Sequence, residues 1–330
     1  MQHTPLPFQA RRRALLAAAA VAAVARAPLA RAQPAARPLR LLVASPPGGT
    51  PDVIARSFAA QLGGSSVVVE NRPGAAGLIA VGALAQAPAD GTSMLLGHSG
   101  LATMYPYLYT RLPYDAAADL VPVALAAETA FGVAVGPAVP AAVQTLAAYL
   151  DWARADPTRA TCGIPGMGTL SHILGALLAR EAGFEVRHVV YAGGPPAIAD
   201  LLGGRLSSVV LPDGLLRPLH ESGRLRVLAT SGAGRQPALP QVPTLVEAGF
   251  SALVMHEWWG CFVPRGTPTA ASDALAAMVA NAAASPALGR ALETLGLQVL
   301  VGGAAAMSAR IARERARWRE VLPGTGIRMD

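Results

Sequence analysis

The stretch V-V-V-E-N-R-P-G-A-A-G, residues 67–77, decides the fold. A β-branched run ends in Glu70-Asn71-Arg72, a Pro-Gly turn follows, and small residues then open a helix. It lies downstream of a similar unit, L-R-L-L-V-A-S-P-P-G-G-T-P-D-V-I-A-R, residues 39–56. There residues 39–44 are mostly apolar and β-leaning, residues 46–49 break the strand, and residues 52–62 read as a helix. Two βα units in tandem predict a parallel sheet with ligands at the carboxyl ends of its strands.

The same logic recurs along the chain. Residues 92–96 read as a third strand, and residues 97–113 as irregular. Residues 121–126 and 131–135 read as two strands, with breaks after them at Pro137 and Pro140. An amphipathic helix spans 145–155 and stops at Asp156-Pro157. Then comes a second copy of the opening: strand 160–164, the loop Pro165-Gly166-Met167-Gly168-Thr169, and helix 171–182. It echoes again in strand 186–191, Gly193-Gly194 and helix 195–202. Further strands are expected at 206–211, 225–230, 258–263 and 298–301. Strands alternating with helices throughout define an α/β protein. Breaks near Pro137 and His256 divide it into an outer and an inner portion.

The N-terminus reads as an export signal. Arg11, Arg12 and Arg13 precede an apolar run over 14–25, and Ala30-Arg31-Ala32 is a small-x-small cleavage site that makes Gln33 the mature start. The run is shorter than the ~20 residues of a membrane span. The paired arginines permit a twin-arginine route as well as the general secretory one. The full chain carries 27 basic and 20 acidic residues. Five of the basic ones (Arg11, Arg12, Arg13, Arg26, Arg31) and none of the acidic ones fall in 1–32, so 22 minus 20 leaves a mature charge of +2. Scattered arginines and few aromatics exclude a nucleic-acid-binding face. Cys162 and Cys261 are the two cysteines. Neither has a second Cys at metal-ligand spacing, and they either pair in an oxidising compartment or sit free in apolar strands.

Several motifs carry candidate chemistry. Residues 46–50 open a helix with glycines, whose N–H groups suit an anion at a helix N-terminus; a plain strand-to-helix turn is the simpler reading. Asp52 fits a cap or first-turn acid. Residues 165–169 have the same chemistry. Gly163 to Gly168 fails the order G-x-G-x-x-G, so no dinucleotide is expected. L-L-G-H-S-G-L at 95–101 approaches a nucleophile elbow, but the second Gly falls one place early. Ser99 is then either a ligand contact or, in the alternative reading, the nucleophile of an exported serine hydrolase. Thr169 or Ser171 suits a helix cap, and His172 has no second His at i+4, so no metal is expected. Asp213 ends a strand, where a lone Asp is a turn former or a ligand contact. Trp258-Trp259 suits core or hinge packing, and Phe131 and Tyr191 are weaker cleft candidates.

Eight motifs together resemble one family: P-P-G-G-T-P-D at 46–52, V-V-V-E-N-R-P-G-A-A-G at 67–77, A-P-A-D-G at 87–91, L-P-Y-D at 112–115, G-M-G-T-L-S-H at 166–172, V-V-Y-A-G-G at 189–194, V-P-T-L-V-E-A-G at 242–249 and W-W-G-C-F-V-P-R-G-T-P at 258–268. In this order they are similar to the extracytoplasmic solute receptors of tripartite tricarboxylate transporters, often called Bug receptors. The resemblance implies a two-domain type II periplasmic binding protein with two crossover segments and an interdomain cleft. Residues 1–32 would be the export signal, 33–134 with 257–330 domain 1, and 135–256 domain 2. It further implies a non-enzymatic, monomeric periplasmic receptor without cofactor or metal. Such a receptor captures a small carboxylate and hands it to the membrane components of a tripartite tricarboxylate transporter. The matching positions imply that Pro47, Gly48, Gly49, Gly168, Thr169 and His172 surround the ligand carboxylate, largely through backbone groups and waters. Ser99 and Asp213 would reach the ligand as well.

Overall fold

The computed structural model describes residues 37–62 and 67–330. The expected export signal and the mature start at Gln33 lie outside these residues. The strands are β1 (Leu39–Val43), β2 (Val67–Asn71), β3 (Ser93–His98), β4 (Val121–Val135), β5 (Thr161–Ile164), β6 (Arg187–Val190), β7 (Ser208–Pro212), β8 (Arg226–Thr230), β9 (His256–Val263) and β10 (Gln298–Val299). They run in the order β2-β1-β3-β9-β4-β7-β5-β6, with β8 and β10 also paired to β4. Around β1 and around β5 the pairing is parallel, and β9 and β4 join antiparallel.

The two ends of this path repeat each other. Parallel β2-β1-β3 meets antiparallel β9, and parallel β6-β5-β7 meets antiparallel β4. β4 belongs to both halves. Up to Ala130 it pairs with β9, and from Phe131 onward with β7 and β8. The fold is the mixed α/β architecture expected, with strand β4 as one crossover and the approach to β9 as the other.

The central strand β1 is covered on both faces, as helices on both sides of a sheet require, whereas the edge strands β2 and β6 are partly exposed. On β1, Leu39, Leu41 and Val43 pack with Ile54, Phe58 and Trp259. Leu42 packs on the opposite side with Val81, Leu84 and Leu101.

Two expectations need correction, and one open alternative is settled. Residues 121–135 form one strand of 15 residues, not two. The polar pair Glu128-Thr129 looked like a break, but both side chains are satisfied: Glu128 meets Arg310 at 2.9 Å, and the Thr129 hydroxyl lies 2.8 Å from Asp213 Oδ1 and 2.9 Å from the Gly296 carbonyl. Residues 97–113 are not irregular throughout. Short helices occupy Ser99–Thr103 and Tyr105–Leu108. Cys162 and Cys261 are both buried and free, in separate cores on either side of the fold.

Candidate functional site

At the carboxyl ends of the parallel strands the loops of both halves enclose a cavity of about 610 Å³. Its walls come from the loops after β1, β2, β3, β5, β6 and β7 and from β9. The lips of the two halves touch: a Cβ on Gly193 would stand 3.1 Å from Pro46 Cγ, and one on Gly166 would stand 3.4 Å from Ala76 Cβ. The lips meet at these two points, and the cavity between them is partly open. Helices beginning at Thr50, Leu78, Leu170 and Gly194 all start at this end of the sheet. They direct their free N–H groups and partial positive charge toward it.

The two glycine loops are built alike. Gly48 has φ +80°, and its N–H donates to Asp52 Oδ2 at 2.9 Å. Gly168 has φ +73°, and its N–H donates to His172 Nδ1 at 3.1 Å. In each loop a left-handed glycine turns its amide back onto a side chain four residues later. Asp52 is further held by Arg56 at 3.0 Å and by Asn71 Nδ2 at 2.9 Å, and Asn71 Nδ2 also donates to the Ser45 carbonyl at 3.0 Å. Burial works to raise the Asp52 carboxyl; Arg56, Gly48 and Asn71 outweigh it and hold it below its usual value. Burial depresses His172 to about 4, with His188 adding to the effect, so its ring is neutral and accepts at Nδ1.

This geometry sorts the expected residues. Gly49 and Thr169 line the cavity. Pro47, Gly48, Gly168 and His172 do not, because the loop amides of Gly48 and Gly168 are consumed by Asp52 and His172; these residues shape the lips from behind. Thr169 caps its helix from Oγ1 and donates to the Gly166 carbonyl at 2.8 Å. Ser99 is fully buried behind the wall, and its hydroxyl donates to Glu257 Oε1 at 2.6 Å. Among the described residues no imidazole accepts from Ser99, and the Nε2 of adjacent His98 is engaged with the Ala76 carbonyl at 3.1 Å. A hydroxyl that donates to an acid without an imidazole base is not an activated nucleophile.

Asp213 is not brought to the cleft. It opens the helix Asp213–Glu221, and its carboxyl meets Thr129 on the far side of β4, lining a separate surface hollow with Arg217 and Glu293. Its neighbours Leu211, Pro212 and Leu215 face the cleft instead. Burial lifts the Asp213 carboxyl to about 6.

The sequence reading missed four features. Residues 74–77 all have positive φ, from +46° to +115°, including the non-glycines Ala75 and Ala76. This costs backbone energy that cleft walls commonly carry. The Ala76 carbonyl is pinned by His98 and by the Tyr105 hydroxyl at 2.8 Å. Trp259 lines the cavity, is 3% exposed, and its Nε1 has no hydrogen-bond partner. Thr50 lines it too, and its buried hydroxyl is equally unpartnered. Glu257 completes the wall two residues from Trp259 on the same face of β9. Burial raises Glu257 to about 8, nearby Glu314 adds to this, and Ser99 offsets part of it. Phe131 and Tyr191 line the cavity as weighed. Trp258 is core: it lies under Arg310, and its Nε1 donates to Glu314 at 2.7 Å. Among the described residues no Arg or Lys lines the cavity.

A cleft between two α/β halves, ringed by helix N-termini, defines a ligand-capturing binding protein. The comparisons carry this to a family. The model of the tripartite tricarboxylate transporter family receptors (TctC) matches residues 52–327, and the chain belongs to that family. It is 35% identical over 290 residues to the UPF0065 protein in the tcbD-tcbE intergenic region of Pseudomonas sp., covering 87% of this chain and 85% of that one. The periplasmic binding protein BugD superposes with a TM-score of 0.84 at 27% identity, covering 89% of this chain and 99% of that one. The R. palustris protein Rpa4515 with adipate superposes with a TM-score of 0.84 at 32% identity, with the same coverage.

Proposed function

We propose that this chain is a periplasmic receptor that captures a small carboxylate-bearing ligand and delivers it to the membrane components of a tripartite tricarboxylate transporter. The observation that supports this best is the cavity of about 610 Å³ with the N-termini of the helices at Thr50, Leu78, Leu170 and Gly194 around it. Their free N–H groups and partial positive charge suit a carboxylate.

In this reading residues 1–32 direct export and the mature chain acts as a monomer. Residues 33–134 with 257–330 close on residues 135–256, with the hinge in β4 where it changes partners and at the approach to β9. The adipate held by the R. palustris relative supports the ligand class.

The test is thermal melting of the mature protein with a panel of mono- and dicarboxylates. A ligand at 100 times its Kd stabilises the folded state by about 2.7 kcal/mol. Absence of stabilisation by any carboxylate, together with ester turnover that Ser99→Ala abolishes, would overturn the receptor reading in favour of a hydrolase.

A further inference from the structure

Among the described residues two acids, Glu257 and Asp330, and no Arg or Lys line the cavity, and the one histidine there, His98, is neutral, so nothing balances a second negative charge. Glu257 is 6% exposed and forms no ion pair among the described residues. The charged and titratable groups around it are engaged elsewhere. Arg310 and Glu314, on the helix Ala304–Val321, bind each other at 3.0 Å, and Arg310 also takes Glu128 of β4. Tyr105 and His98, from the segment after β3 and its end, both donate to the Ala76 carbonyl. Thr129, opposite Glu257 on β4, turns to Asp213. Ser99 alone donates its hydroxyl to Glu257, at 2.6 Å, and so fixes the carboxyl at the cavity wall.

We infer that Glu257, positioned by Ser99, selects the second pole of the ligand, and that the cleft takes monocarboxylates bearing a hydrogen-bond-donating group, an ammonium above all, in preference to dicarboxylates. This rests on the receptor reading and deepens it. The carboxylate sits at the N-terminus of the helix that follows β1; the donor meets Glu257. β9 is two strands away from β1 in the sheet, which separates the poles by roughly 10 Å at the usual strand spacing. A six-carbon chain with polar ends bridges such a gap. Because burial lifts Glu257 to about 8, it is largely protonated near pH 7. An ammonium displaces that proton to the buffer, whereas a hydroxyl does not. A dicarboxylate buries a second anion with no Arg or Lys in the wall to offset its lost hydration, and a protonated Glu257 returns one hydrogen bond only.

Calorimetry with a matched series tests this: hexanoate, 6-hydroxyhexanoate, 6-aminohexanoate and adipate, on the mature protein and on Glu257→Gln and Ser99→Ala. The unmodified protein should rank aminohexanoate above hydroxyhexanoate, and both above hexanoate and adipate. Aminohexanoate binding should release close to one proton, read from buffers of different ionisation enthalpy. In Glu257→Gln the preference for aminohexanoate over hexanoate should fall roughly tenfold to a hundredfold, as loss of a charge-assisted hydrogen bond requires. In Ser99→Ala it should fall by less. Adipate binding tightest, or an unaltered aminohexanoate preference in Glu257→Gln, overturns the role of Glu257 while leaving the receptor reading standing. Should Glu257→Gln not fold, the ranking and the proton count in the unmodified protein decide alone. Failure of all four acids to bind overturns this inference; the receptor reading falls with it only if no acid of the wider carboxylate panel stabilises the protein.

Discussion

Glu257 also makes a prediction about the empty protein. Its carboxyl is buried and held at about 8 in the folded state, against 4.5 in the unfolded chain. A carboxyl raised in this way keeps its proton on folding, so between pH 4.5 and 8 the folded state binds one proton more than the unfolded state. Stability therefore falls as pH rises through that window, by about 1.4 kcal/mol per pH unit. Over roughly 3.5 pH units the loss reaches about 5 kcal/mol, an upper bound because water entering the cleft screens the ionised form. Glu257→Gln has nearly the shape of the protonated acid and no titration. Chemical unfolding of both ligand-free proteins at pH 5, 6, 7, 8 and 9 measures the difference. Asp213 and His98 titrate in both proteins and cancel. The two stabilities should nearly coincide at pH 5 and diverge in favour of Glu257→Gln toward pH 9. A difference that does not change with pH would refute the burial argument.

Three further outcomes follow from the same geometry. Thr50→Val removes a buried hydroxyl with no partner; urea unfolding should show unchanged or slightly higher stability, whereas carboxylate affinity in calorimetry should drop about tenfold. Gly214→Ala would put a Cβ 1.4 Å from the Leu295 carbonyl oxygen; forcing that backbone apart should cost more than about 3 kcal/mol, visible as a fall in melting temperature. His98 is buried neutral, depressed by burial to about 4; its contribution is present above pH 6.5 and lost as pH falls toward 4, up to about 3 kcal/mol, and His98→Asn should flatten the acid limb of the stability curve.

The strands were legible because each is a short apolar run bounded by Gly or Pro, and the repeat of strand, glycine loop and helix announced the sheet ends where the cavity lies. The continuity of β4 was not legible, because Glu128 and Thr129 are polar and their partners, Arg310 and Asp213, are remote in sequence. The glycine loops were located correctly, but their inward residues were not. Whether Gly48 offers its amide to a ligand or to Asp52 depends on a turn that composition does not encode. Asp213 and Glu257 show the same limit from two sides. Both are lone acids at strand ends, and only the pleat of β7 and β9 decides which one meets the cleft. Glu257 had no local signal, since Ser99, the residue that holds it, is 158 positions away.

The matching turns at Gly48 and Gly168 rest on unlike anchors, and acid distinguishes them. Burial works to raise the Asp52 carboxyl, but three donors outweigh it and hold the group below its usual value. His172 gains a proton near pH 4, and a protonated Nδ1 has no lone pair for the Gly168 amide. Acidification therefore frees the jaw at Gly168 and leaves the one at Gly48 clamped. Amide exchange reports this directly: between pH 6 and 4, after correction for intrinsic rates, Gly168 should lose protection while Gly48 keeps it. Equal protection at both glycines would show that the two jaws are mechanically equivalent after all.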